Sequence, residues 1–104
     1  MALKQVILSR KLAGKRSELT AKKSRGAELK QKRAKMQTRE DELEAAVKEI
    51  TEETEETVKA EVEAAVSEFE AEVAQVEADI AETDHDVAAL ETEIAQIQTE
   101  LAAL

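Results

Sequence analysis

One pair of side chains in this sequence has the spacing of metal or acid–base chemistry. Glu82 and His85 stand three residues apart, so on a helix they share a face. That is one part of the carboxylate–histidine set with which helical bundles hold paired metal ions. A full site needs a second copy and further carboxylates facing inward. His85 is the sole histidine, and Asp84 and Asp86 flank it. The apolar periodicity described below turns Glu82 and His85 outward, so a solvated acidic patch is the better reading. The glutamates between 49 and 56 could gather cations weakly, but a solvated bend is the better account of them. There is no cysteine, hence no thiolate nucleophile, disulfide or zinc finger. No catalytic residue, cofactor site or metal site is expected, and the chain does not read as an enzyme.

The elements that would carry such groups follow from composition. The chain has 104 residues, enough for one domain at most. It has no Pro, Trp or Tyr, one Phe (Phe69), and 38% charged residues. Ala, Glu, Lys, Val, Leu, Thr and Gln make up most of the rest, which is the composition of long helices and coiled coils. The fold class expected is all-α, with elongated helices forming a coiled coil and a partner chain covering the apolar stripe. No apolar run is long enough to span a bilayer. The stretch after Met1 is too short for a signal peptide, so an intracellular setting is expected and no membrane partner.

The C-terminal half carries the clearest pattern. Val62, Val66, Phe69, Val73, Val76, Ile80, Thr83, Val87, Leu90, Ile94, Ile97, Leu101 and Leu104 follow at alternating spacings of four and three. This is a continuous a/d heptad seam with one polar member, Thr83. Its β-branched a positions favour dimers, but its d positions are mixed, so oligomer number and orientation stay open. As a self-association seam it is the surface expected to join copies of the chain.

Upstream the frame is weaker. Leu8, Leu12, Leu19, Leu29, Met36, Leu43, Val47, Ile50, Thr54 and Thr57 share one register, but Lys15, Lys22, Gly26, Arg33 and Glu40 occupy seam positions of it. Leu8, Leu12 and Leu19 form a smaller docking stripe. Passing into the second register takes a four-residue step through Val58, a stutter that locally unwinds a supercoil. It coincides with the run of Thr and Glu from Thr51 to Thr57, where like charges and threonines disfavour helix. A bend is therefore expected at 51–58, and a second weak point at 24–26. Thr38 and Asp41 have the spacing of a capping box, with an unbroken helix the equal alternative. Three segments result: 1–50, basic with weak heptads; 51–58, the acidic bend; and 59–104, the acidic heptad coiled coil.

Charge is divided as sharply. Residues 1–40 hold 13 Lys or Arg and 3 Glu, whereas 41–104 hold 2 Lys and 21 acids. The chain can pair head to tail, or fold its basic half onto its acidic half. The basic residues are spread around the helix and no aromatic side chain interleaves with them, so nucleic acid is a poor candidate partner. An acidic protein surface, including that of another copy, suits them better. The heptads still run at Leu101 and Leu104 with no closing signal, which reads as a chain cut from a longer one.

Several segments are similar to a known family. Met1-Ala-Leu-Lys-Gln5, Leu8-Ser-Arg-Lys-Leu12, Thr38-Arg-Glu-Asp-Glu-Leu-Glu-Ala-Ala-Val47, Glu49-Ile-Thr-Glu-Glu-Thr54 and the stretch from Val62 to Glu70 carry the likeness. The chain resembles the N-terminal delta domain of tailed-phage major capsid proteins of the Hong Kong phage type, over its whole length. The resemblance implies a scaffold domain inside the immature capsid, in the cytoplasm of an infected bacterium. There it would guide procapsid assembly beside the capsid shell domain, and the phage prohead protease would remove it. No residue here identifies the cleavage site, and the shell-forming part is absent from this sequence. The expected function is therefore a self-associating coiled-coil scaffold of the virion precursor. The alternatives are a free-standing cytosolic coiled-coil adapter, or a nucleic-acid-organising protein acting through residues 4–39.

Overall fold

The computed structural model describes residues 3–104, so Met1 and Ala2 of the first matching segment lie outside the described residues. The chain is all-α. Helix α1 runs Leu3–Lys48 and helix α2 runs Glu56–Ala102, with no strand among the described residues.

Seven residues, 49–55, connect the helices. The chain turns there without Gly or Pro, because threonine side chains offer the backbone an alternative to helical hydrogen bonds. The Thr51 amide donates to Thr54 Oγ1 at 2.9 Å, the Glu53 amide donates to Thr51 Oγ1 at 3.3 Å, and the Thr54 amide donates to the Thr51 carbonyl at 3.1 Å. Lys48 lies in the last turn of α1 and Glu56 in the first turn of α2, each of the sign that the helix dipole favours. The break falls slightly earlier than the 51–58 reading, since Thr57 and Val58 are helical and Val58 is exposed. The expected weak point at 24–26 does not appear. Helix α1 is unbroken there, and likewise through Thr38 and Asp41.

The chain divides into two compact units. Unit 1 joins residues 1–28 to 80–104, and unit 2 spans 29–79. Each unit therefore combines a stretch of the basic half with a stretch of the acidic half.

In unit 1 the paired segments run antiparallel. Lys15 meets Glu93 and Lys22 meets Asp86, so seven residues forward on α1 match seven backward on α2. Its core comprises Leu8, Leu90, Ile94 and Ile97, with Gly26 and Thr83 also buried. In unit 2 the last turns of α1, the connection and the first turns of α2 form a helical hairpin. Its core comprises Leu29, Leu43 and Val76. Burying each such side chain contributes about 1.5–3 kcal/mol. No large side chain is wholly buried among the described residues.

Candidate interaction surfaces

The heptad seam is partly covered from within the chain. Val76, Thr83, Leu90, Ile94 and Ile97 are buried, while Val62, Val66, Phe69, Val73, Ile80, Val87 and Leu101 are half-buried. Leu104 ends the seam in solvent at 58% exposure. Within each unit the chain's own α1 covers part of this stripe. The docking stripe goes the same way, with Leu8 buried and Leu12 and Leu19 half-buried in unit 1. Sequence alone could not choose between these outcomes, because a/d spacing is identical for pairing within and between chains.

The charged seam positions of α1 explain how it accepts that role. In unit 1, Lys15 Nζ lies 2.8 Å from Glu93 and Lys22 Nζ lies 3.0 Å from Asp86. In unit 2, Arg33 reaches Glu77 at 3.3 Å and Glu40 at 3.5 Å. Long basic side chains can follow apolar surface with their stems while their charged ends reach acids on its flank. The hydrogen bond to Glu93, then the charges of Glu18 and Glu93, raise the Lys15 pKa above its usual value. Gly26 faces Thr83 closely, where a side chain larger than a methyl group would crowd. Pairs within one helix, such as Arg39–Glu42 at 3.4 Å and Lys48–Glu44 at 3.6 Å, contribute about 0.3–0.5 kcal/mol each.

This folding redistributes the charge. Unit 1 holds 8 Lys or Arg and 8 Asp or Glu, a formal charge of zero. Unit 2 holds 7 basic and 16 acidic residues, which is the whole net charge of -9. The basic excess of residues 1–40 is thus offset by acids within each unit.

Among the described residues, apolar surface remains open in both units. In unit 2 a groove of about 490 Å³ runs between the helices. Leu43, Val47, Val66, Phe69, Val73 and Ala74 supply its apolar lining, and Glu40, Glu44, Glu70 and Glu77 its acidic rim. In unit 1, Leu3 is 74% exposed and Ile7 55% exposed. Neither surface stands out in sequence, because Val66, Phe69 and Val73 belong to the seam pattern and Ile7 adjoins Leu8. The signal available was the acid excess flanking that seam.

Glu82 and His85 are both exposed on α2, as their heptad positions require. No group of three or more potential metal ligands occurs among the described residues. No helix among them is long and apolar enough to cross a membrane. No family model matches the chain, and no curated protein or solved structure matches it.

Proposed function

We propose that this chain is a self-associating helical scaffold module. The observation that supports this reading best is the acid-rimmed apolar groove of unit 2, where part of the seam stays open. Open apolar surface bounded by charge marks an interaction site. The core is also lightly built, with seven apolar side chains buried among the described residues. Such a module can guide assembly and then be released, and its exposed connection at 49–55 offers a protease an entry. The narrower identity, a capsid delta domain cleaved during maturation, rests on the segments that resemble that family. Capsid shell domain and prohead protease are its partners in that reading, and the interior of the immature capsid is its place.

The test is the intact mass of the native polypeptide in its source cells, followed through particle maturation. A larger precursor containing residues 1–104, replaced over time by a shorter product, is the expected result. A constant species of 11.4 kDa with no longer form would overturn the capsid reading and leave an adapter.

A further inference from the structure

The two open surfaces complement each other in shape and charge. The groove has an apolar lining and four glutamates at its rim. On α1, Leu3, Ile7 and Gly14 recur at spacings of four and seven and so share one helix face. Arg10 borders that face on one side, and Lys4 and Lys11 border it on the other. All five of the side chains on this patch are exposed, and open space surrounds Gly14. No acidic residue precedes Glu18 in the chain, so the first four turns of α1 are purely cationic.

We infer that copies of this chain join head to tail, the first turns of α1 in one copy, with Leu3 and Ile7, seating in the acid-rimmed groove of unit 2 in the next. This rests on the self-association reading above and names its two surfaces. Two grooves cannot face each other, because each would bring its glutamates against the other's. A basic, apolar-faced helix from a second copy suits both the apolar lining and the acidic rim. The groove spans residues 66–77 of α2, about three helical turns, and Leu3 with Ile7 occupies little more than one. Contacts between unlike surfaces build chains or rings rather than closed dimers.

The experiment is sedimentation velocity on the full chain and two variants, each checked by circular dichroism for retained helix. The patch variant is Leu3→Asp with Ile7→Asp, and the rim variant is Glu44→Lys with Glu70→Lys. The wild type is expected to grow in mass with concentration, and to associate more weakly at high salt. Each variant alone should associate at least tenfold more weakly and sediment near 11.4 kDa. Mixed one to one, they should form a species of twice that mass, because each supplies the surface the other lacks. Should the patch variant lose helix, Lys4→Glu with Lys11→Glu replaces it; its acidic patch also complements the lysine rim, so mixing with the rim variant should restore species of the dimer mass or larger. Variants that associate like the wild type, or a mixture that stays monomeric, would overturn the head-to-tail contact while the self-association reading stands. A wild type monomeric at every concentration would overturn both.

Discussion

The Cβ that Gly26 lacks would stand 3.4 Å from Cγ2 of Thr83, at the near edge of ordinary van der Waals contact. The two helical segments of unit 1 therefore approach closely at a glycine facing a small, buried threonine. Such a pair lets α1 continue where its sequence looks weakest. A methyl group fits the available space and a branched side chain does not. Gly26→Ala should stabilise the protein by up to about 1 kcal/mol through helix propensity. Gly26→Leu should destabilise it by about 1–3 kcal/mol through overpacking. Urea unfolding of both variants checks the pair. A marked loss of stability in the alanine variant would mean that the approach is closer than this geometry.

The Lys15–Glu93 contact predicts a pH dependence of definite sign. The folded pKa of Lys15 is raised, first by its hydrogen bond to Glu93. The contribution is thus fully present below the ordinary lysine range and is lost as pH rises through the raised folded value. Thermal unfolding of wild type and Lys15→Met should converge at high pH and at high salt. Curves that keep a constant separation from neutral pH to strongly alkaline conditions would place Lys15 outside any such contact.

Burial separates side chains of similar apolar character. Leu29 is 2% exposed and Ile97 4%, whereas Ile7 is 55% exposed. Leu29→Ala and Ile97→Ala should each cost about 2–5 kcal/mol of stability. Ile7→Ala should change it by no more than about 0.5 kcal/mol. Denaturant midpoints at constant slope provide the comparison. Equal losses at all three positions would contradict the assignment of the inner face.

The start of α2 is poorly capped. The Glu55 carbonyl accepts the first helical bond, from the Lys59 amide at 3.0 Å, so Glu55 occupies the N-cap position. Glutamate is not among the residues favoured there, and it stands in a run of like charges. Glu55→Ser should add about 0.5–1 kcal/mol by capping and by lowering that repulsion. Thr51→Val should cost about 1 kcal/mol, because the hydroxyl accepts the Glu53 amide. Melting temperatures moving in the opposite sense would show that the turn is held by something other than these threonines.

Much of this fold was legible in residue spacing. The seam from Val62 to Ile97 faces inward as its heptads require, and the turn lies where Thr51 and Thr54 meet a run of glutamates. What spacing could not reveal was the partner of that seam. Lys15, Lys22 and Arg33 read as defects in a stripe when α1 is taken alone. Opposite Glu93, Asp86 and Glu77 they become the contacts that align an antiparallel pair. Gly26 was misleading for the same reason, since its effect on helix propensity is local and its value against Thr83 is not. The groove of unit 2 was hidden because its lining belongs to the seam pattern, and only the packed helices leave Phe69 and Val73 partly open.

The central claim is that a chain whose seam is only partly covered by its own α1 associates with itself through the charged, apolar surfaces it leaves open. The most direct test is the weight-average mass of the unmodified chain, measured by sedimentation over a wide concentration range at low and high salt. The account predicts a reversible rise above 11.4 kDa with concentration, and a smaller rise when salt screens the glutamate rim. A mass fixed at 11.4 kDa under every condition would contradict it.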